Sequence, residues 1–240
     1  MINAPDQASS ASSPPPAARV AAPSSRRRGP ASTPHGQRSR DRVLRASLEL
    51  VTEAGIDQVR LAEIARRAGM SSGQVMYYFT SVEHILLEAL AWREHEETTH
   101  RQAVLPGVAG RWRQLERFID LYLPSGAADP AWILWMEAWA RTPHDAEVSV
   151  FLDELMRPWY DDLAEIVQRG VHEGTFGLQV PSGDFTICFC ALLDGLAMIH
   201  LSQKPYLPRE RLIELAMATA RTQLTPAVPH GPAPAPCGSA

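Results

Sequence analysis

The residues LAEIARRAGMSSGQVMYYF, at positions 61–79, carry the strongest structural signal in this sequence. Its first half places apolar residues at positions i, i+3, i+4 and i+7, which predicts a short amphipathic helix that ends at Gly69. Ser71 then starts a second short helix, and Gln74 stands three residues later, as in a capping box. Two short helices joined by a glycine-containing turn indicate a helix-turn-helix, whose second helix enters the major groove of DNA.

The second helix of this pair carries residue types that suit DNA recognition. A glutamine can form paired hydrogen bonds with adenine N6 and N7, and tyrosine hydroxyls can reach phosphates. We therefore predict DNA contacts from the polar or small residues of this segment, namely Ser71, Ser72, Gly73, Gln74, Tyr77 and Tyr78. The alternative is that Gln74 only completes the capping box and that the tyrosines only pack.

The positive charge is concentrated ahead of the first helix. Residues 1–45 contain eight arginines and two aspartates, a net charge of +6, whereas the whole chain carries −4. An arginine-bearing arm at this place can contact phosphates or the minor groove, so we predict DNA contacts from Arg38, Arg40 and Arg42. Arg60, at the start of the second helix, is a further candidate for a phosphate contact. The alternative is a solvated linker with no specific role.

The chain between two low-complexity tails has only helical periodicity. Residues 1–37, rich in Pro, Ser and Ala, and residues 225–240 are predicted to be disordered. About nine helices are expected between them, with a kink at Pro158 in the seventh. This pattern predicts an all-α fold with a DNA-binding domain at 38–82 and a ligand-binding and dimerisation domain at 83–224.

Composition and motifs exclude several classes of protein. A hydrophobic fraction of 45% and a charged fraction of 21% are ordinary for a globular protein. We expect no membrane span and no signal peptide, and hence a cytoplasmic location. The three cysteines have no metal-ligand spacing, so neither a metal nor a cofactor is predicted. Without a nucleophile elbow, phosphate loop or dinucleotide fingerprint, we expect no enzyme.

Tryptophans and acids in the C-terminal body suggest a ligand site. Trp132, Trp135 and Trp139 project to one side of the sixth helix, and Asp194 lies on an apolar stripe of the eighth. Aromatic faces near a partly desolvated carboxylate favour a hydrophobic cation. The predicted ligand-binding residues are Trp92, Trp132, Trp135, Glu137, Trp139, Trp159, Asp194 and Met198. The alternative is that the tryptophans are core residues and that Glu137 pairs with Arg141.

Several short motifs resemble the tetracycline-repressor (TetR) family over roughly residues 40–90. They are Ile64-Ala65, Ala68-Gly69, Met70-Ser71, Tyr77-Tyr78-Phe79 and Ser81-Val82-Glu83. The segments 132–140 and 192–196 are similar to an actinobacterial branch of that family. Three positions depart from the family pattern: Val82 replaces a lysine, Met76 a tyrosine and Arg60 a capping Thr or Ser. The first two changes remove polar contacts to the DNA backbone.

The resemblance implies a transcriptional repressor. Such a protein binds an inverted-repeat operator in double-stranded DNA as a homodimer, paired through its last two helices, and a small organic effector releases it. An alternative is a DNA-binding regulator of the same fold that has no small-molecule ligand and is controlled by protein partners or abundance.

Overall fold

The computed structural model describes residues 33–202 and 207–224, and within them the all-α prediction is confirmed. Nine α-helices lie in these two ranges, connected by turns that include two short 3-10 segments. Their bounds are α1 Pro34–Ala54, α2 Leu61–Ala68, α3 Ser72–Tyr78, α4 Val82–Val104, α5 Arg111–Tyr122, α6 Pro130–Arg141, α7 Ala146–His172, α8 Ser182–Leu201 and α9 Arg209–Leu224.

Helix α1 begins earlier than the sequence analysis predicted. The hydroxyl of Thr33 accepts a hydrogen bond from the Gly36 amide at 3.1 Å, and Pro34 occupies the first turn, where its missing amide hydrogen costs nothing. The assignment of residues 34–37 to a disordered arm is therefore wrong. Residues 1–32 and 225–240, which contain the rest of the predicted arm and the predicted tail, lie outside the described residues.

Helices α1 to α3 form the helix-turn-helix unit. Ile64, Val75 and Phe79 are at most 1% exposed and pack with the apolar face of α1. Gly69 ends α2 in the left-handed conformation at φ 66°, which a side chain would disfavour. Ser81 caps α4 by accepting a hydrogen bond from the His84 amide at 3.0 Å.

Helix α4 joins this unit to the C-terminal body. It packs against α1 and also against α6 and α7. Helix α7 runs continuously over 27 residues with Pro158 inside it. Near its end, Gly170 lies under the ring of Phe176, where a Cβ atom would approach the ring to 2.1 Å. Only glycine therefore allows the chain after α7 to fold back this closely.

Helix α8 is more apolar than we expected for a chain without a membrane span. Within the described residues it is the one helix that is long and apolar enough to cross a membrane, with a mean hydropathy of 1.6. Its Phe185, Phe189 and Leu193 are at most 1% exposed and belong to the core. Its opposite face leaves Ile187 and Met198 exposed, at 60% and 44%.

Candidate functional site

The recognition helix α3 presents its polar residues to solvent. Its one buried residue is Val75, while Tyr77 is 64% exposed and packs edge-on against the half-buried Tyr78. The remaining predicted DNA-contact residues at its start are all exposed: Ser71, Ser72, Gly73 and Gln74. The helix thus exposes a polar face, while Val75 on its other side packs into the core.

Gln74 holds the start of α3 together. The Ser71 amide donates to Gln74 Oε1 at 2.8 Å, and the Gln74 amide donates to Ser71 Oγ at 3.2 Å. This is a complete capping box, which satisfies two amide hydrogens that the helix itself leaves unpaired. The capping role is therefore present in the structure, and it leaves the side-chain NH2 group of Gln74 available to a base.

Two of the three predicted arginines on α1 face outward. Arg38 and Arg42 are exposed and stand four residues apart, on one face of the helix. Arg42 also lines a groove between α1 and α3 that Ser39, Gly73, Gln74 and Tyr77 border. This position suits a phosphate beside the recognition helix.

Arg40 has a different environment from the one we predicted. Its Nη2 donates to Glu88 Oε2 at 2.6 Å, its Nη1 donates to the Tyr78 carbonyl at 3.2 Å, and its guanidinium lies 4.7 Å from the centre of the Phe79 ring. The side chain is 18% exposed. Arg40 therefore ties α1 and the end of α3 to α4, and we remove it from the set of DNA contacts.

Arg60 is exposed at the start of α2. Its Nη1 donates to the carbonyls of Asp57 and Val59, at 2.6 and 3.1 Å, and its side chain provides no cap for the helix. Arg60 stands where the family pattern has a capping Thr or Ser, and the start of α2 accordingly has no side-chain cap.

The C-terminal body contains a pocket built from an open ring of five aromatic side chains. Trp159 contacts Tyr122, Tyr122 contacts Trp132, Trp132 contacts Trp139, and Trp139 contacts Trp135, with ring centres between 4.8 and 6.1 Å apart. Helices α5, α6 and α7 supply these rings. The space between them, partly open to solvent, is about 260 Å³.

The carboxylate of Glu94 closes this ring. Its Oε1 accepts the indole hydrogen of Trp135 at 2.7 Å, and its Oε2 accepts that of Trp159 at 2.9 Å. Glu94 is 6% exposed, and burial raises its pKa while the two indole donors and Arg101 oppose that shift. Each polar edge of the two tryptophans is thus satisfied, and their faces are held in place.

A second carboxylate, that of Asp194 on α8, also lines the pocket. Its Oδ1 accepts a hydrogen bond from the Tyr122 hydroxyl at 2.7 Å. Burial raises the pKa of Asp194, and the tyrosine donor opposes this shift. The pocket therefore combines aromatic faces with two acidic groups.

Arg101 supports the ring from outside the pocket. Its guanidinium carbon lies 3.4 Å from the centre of the Trp159 ring, and its Nε donates to Asp162 at 2.8 Å. Arg101 is fully buried and lines a separate cleft. Its charge is paired by Asp162, so it fixes Trp159 without neutralising Asp194.

The structure brings together five of the eight predicted ligand residues and separates three. Trp132, Trp135, Trp139, Trp159 and Asp194 line the pocket. Trp92 instead lies near the guanidinium of Arg45, and Met198 is exposed on the outer face of α8. Glu137 pairs with Arg141 at 2.8 Å, as the alternative had it, because the two stand one helical turn apart on α6.

Sequence reasoning missed Glu94, Tyr122 and Met156, which also line the pocket. A signal for Glu94 was present, because it follows Leu86 and Leu90 at intervals of four and so continues a buried stripe of α4. An acid on such a stripe needs a polar partner. The partners, Trp135 and Trp159, come from two other helices and could not be identified by spacing.

Comparisons with known proteins agree with this architecture. Residues 43–89 match the family model described as bacterial regulatory proteins, tetR family, and residues 112–225 match that of the BetI-type transcriptional repressor, C-terminal. Together the exposed recognition helix and these matches define a helix-turn-helix transcriptional regulator. The chain belongs to the TetR family, whose members are DNA-binding regulators and not enzymes.

Individual relatives are similar to this chain along most of their length. The regulator AqdR of Rhodococcus erythropolis is 28% identical over 72% of this chain and 79% of its own. A BetI regulator of Escherichia coli is 27% identical over 69% of this chain and 84% of its own. A transcriptional regulator of Saccharomonospora viridis, solved in complex with choline, superposes with a TM-score of 0.71 at 24% identity, over 78% of this chain and 98% of that one.

Proposed function

We propose that this protein is a repressor that binds an inverted-repeat operator as a homodimer and is released when a compact quaternary ammonium cation enters the aromatic pocket. The observation that carries this proposal is the ring of five aromatic side chains with two carboxylates, that of the buried Glu94 and that of the half-buried Asp194. Residues 34–82 would read the DNA, residues 83–224 would bind the ligand and dimerise, and the protein would act in the cytoplasm.

The chemistry of the pocket favours a methylated cation. The face of an indole or phenol ring attracts a cation, and each such contact contributes about 0.5–2 kcal/mol. Both oxygens of Glu94 already accept an indole hydrogen, from Trp135 and Trp159. A quaternary ammonium group suits this environment because it donates no hydrogen bond and needs no acceptor. The rings that line the pocket lie close together, with centres 4.8 to 6.1 Å apart, and this narrow space favours a small ligand.

The similar proteins point in the same direction. The C-terminal half matches a BetI-type model, and the Saccharomonospora viridis regulator was solved with choline, a compact quaternary ammonium alcohol. The larger cationic dyes that a broad hydrophobic site would accept fit this pocket less well. The sequence predicted a hydrophobic cation as the ligand, and we now propose that this cation is small.

Release from DNA requires that the ligand prefer one conformation. A ligand with equal affinity for both states shifts no equilibrium, however tightly it binds. Helix α4 contributes Glu94 to the pocket and Glu88 to the contact with Arg40. A cation that moves Glu94 therefore acts on the helix that holds the DNA-binding unit.

Two binding measurements test this proposal. Purified protein is first used to select operator sequences from random DNA, and choline is then titrated into the protein–operator complex, with potassium chloride at matched ionic strength as the control. We expect choline to quench tryptophan fluorescence and to dissociate the complex. If neutral or anionic compounds release the operator and quaternary ammonium compounds do not, the proposal is wrong.

We further propose that the dimer forms through α8 and α9. The exposed face of α8 carries Ile187 and Met198, and a second subunit would cover it. Operator half-sites about 34–36 Å apart, or a multiple of that, also require two recognition helices. Ile187→Glu should shift the sedimentation coefficient towards the monomer, whereas Val150→Glu, a matched change on exposed α7, should not.

A further inference from the structure

The two carboxylates of the pocket have different hydrogen-bonding capacity. Both oxygens of Glu94 already accept an indole hydrogen. Asp194 accepts one hydrogen bond, from Tyr122 to Oδ1. Its Oδ2 makes no hydrogen bond within the described residues, yet it is not sealed from solvent. Asp194 therefore keeps an acceptor that the protein does not use.

Tyr122 determines which oxygen of Asp194 stays free. The hydroxyl donates to Oδ1, and the same tyrosine ring belongs to the aromatic ring around the pocket, 4.8 Å from Trp159 and 6.0 Å from Trp132. Asp194 is consequently fixed at the edge of the space that the cation would fill. The lone pairs of Oδ2 can accept the hydrogen bond that a ligand hydroxyl donates.

We propose that Asp194 makes the pocket select quaternary ammonium alcohols over the corresponding zwitterionic acids and over ethers of the same shape. The ligand's hydroxyl donates to Asp194 Oδ2 while its methylated head lies against the tryptophan faces. A ligand carboxylate at that place meets a like charge, and an ether oxygen meets an acceptor without a donor. This inference rests on the proposed function, since it concerns the hydroxyl end of the ligand whose ammonium head that function places in the pocket.

The other charges around the pocket do not offset this selectivity. Arg101 is paired with Asp162 and lies near the Trp159 ring, and Arg141 is paired with Glu137 at 2.8 Å. No arginine or lysine lines the pocket among the described residues. A ligand carboxylate would therefore enter a site that offers it no cation.

Isothermal titration of DNA-free protein with five related compounds tests the inference. The compounds are choline, its O-methyl ether, its carboxylate analogue trimethylammonioacetate, tetramethylammonium, and the uncharged carbon isostere 3,3-dimethylbutan-1-ol. We expect wild-type protein to bind choline at least about tenfold more tightly than the ether and the carboxylate analogue, because a hydrogen bond to a charged group is lost in each case.

The variant Asp194→Asn tests whether Asp194 causes this preference for choline. With the amide oxygen held by Tyr122, the NH2 group takes the place of Oδ2 and donates instead of accepting. We expect the preference for choline over the carboxylate analogue to fall below about threefold. The matched control Glu137→Gln changes an acid to an amide outside the pocket, and it should keep the wild-type preference.

The outcomes separate the two proposals. Equal binding of choline, its ether and its carboxylate analogue by wild-type protein overturns the selectivity of Asp194 and leaves the cation proposal standing. Unchanged discrimination in Asp194→Asn also overturns it. Failure of wild-type protein to bind any of the charged compounds overturns both. The wild-type comparison needs no variant, so the test does not depend on how Asp194→Asn folds.

Discussion

The Nη2 atom of Arg40 lies 2.6 Å from Oε2 of Glu88, and this ion pair joins the DNA-binding unit to helix α4. The same guanidinium holds the carbonyl of Tyr78, the last residue of the recognition helix. Glu88 and Glu94 stand six residues apart on α4, which is about 9 Å along a helix axis. One rigid element therefore connects the ligand pocket to the orientation of the recognition helix.

Replacing Arg40 should weaken DNA binding although its guanidinium is held within the protein by Glu88 and the Tyr78 carbonyl. We expect Arg40→Gln to lower operator affinity by about tenfold, since a hydrogen bond to a charged group is worth about 1.5–3 kcal/mol. The affinity of DNA-free protein for choline should stay the same. Fluorescence anisotropy of labelled operator measures the first quantity, and calorimetric titration of DNA-free protein with choline measures the second. An operator affinity equal to that of wild type would contradict the connection.

The matched control for that variant is Arg38→Gln on the same helix. Arg38 is exposed, so its loss should remove a phosphate contact and reduce the slope of log K against log salt by about 0.9. Arg40→Gln should leave that slope unchanged. Equal slopes for all three proteins would remove Arg38 from the DNA interface.

Two substitutions at Gln74 separate capping from base recognition. Gln74→Ala removes the hydrogen bond that Ser71 donates, at about 0.5–1.5 kcal/mol, and Gln74→Glu keeps an acceptor at the same place. A base contact adds about 1–3 kcal/mol of discrimination at one base pair per half-site. We therefore expect thermal unfolding to separate Ala from Glu, and selection from random DNA to show relaxed preference with both. Unchanged base preference in both would make Gln74 a cap alone.

Glu94→Gln should disturb the aromatic ring. An amide offers one acceptor where the two indole N–H groups of Trp135 and Trp159 need two, and a buried unsatisfied donor costs about 1–3 kcal/mol. Urea unfolding should show this loss, and near-UV circular dichroism should change. Glu137→Gln is the control, since an exposed i, i+4 pair contributes only about 0.3–0.5 kcal/mol. Equal stability of both variants would contradict the role of Glu94.

The pH dependence of ligand binding should oppose that of apo-protein stability. Burial raises the pKa of both Glu94 and Asp194 above the unfolded values, so these groups stabilise the protein at low pH and this contribution is lost as pH rises through the raised pKa. A cation favours the ionised acids, so its affinity should increase over the same interval. Titrations from pH 4 to pH 8, by calorimetry and thermal unfolding, measure both.

Several neighbouring groups share this electrostatic environment. Trp135, Trp159, Arg101 and Glu97 act on Glu94, and Asp194 faces the Tyr122 hydroxyl while Tyr160 and Cys190 lie nearby. In Asp194→Asn we expect the increase in choline affinity with pH to shrink. A cation affinity that falls with rising pH would contradict the assignment of charge in the pocket.

Gly170→Ala should destabilise the body. The added methyl group would approach the Phe176 ring to 2.1 Å, and the overpacking typically costs about 1–3 kcal/mol. Gly126→Ala, in a loop position with no atom within 4 Å of the new Cβ, should change stability by less than about 0.5 kcal/mol. Urea midpoints at constant slope compare the two, and equal midpoints would show that Phe176 moves away freely.

The sequence predicted local features well because their physical signals are local. Gly69 ends α2, Ser71 and Gln74 form the capping box, and Glu137 pairs with Arg141 within one helical turn. The start of α1 was missed although Thr33 and Pro34 carry a capping signal, since the Pro- and Ser-rich composition before them outweighed it.

Contacts between distant helices were beyond the sequence. Arg40 meets Glu88 across 48 positions, and Glu94 meets Trp159 across 65, so no periodicity connects them. Periodicity does assign a residue to a face of its own helix. It does not say which helix covers that face, which is why Trp92 and Met198 were placed in the pocket and lie elsewhere.

The capping box also limits how the DNA preference of this chain can evolve. Only Gln and Glu at position 74 reach back to the Ser71 amide, because Asn is one methylene shorter and Ala has no acceptor. Of these two, Glu would bring a negative charge to a surface that meets phosphates. Structural need and charge together leave a single amino acid at that position. New operators would have to be acquired through Ser72, Gly73 and Tyr77, which are exposed and free of that double constraint.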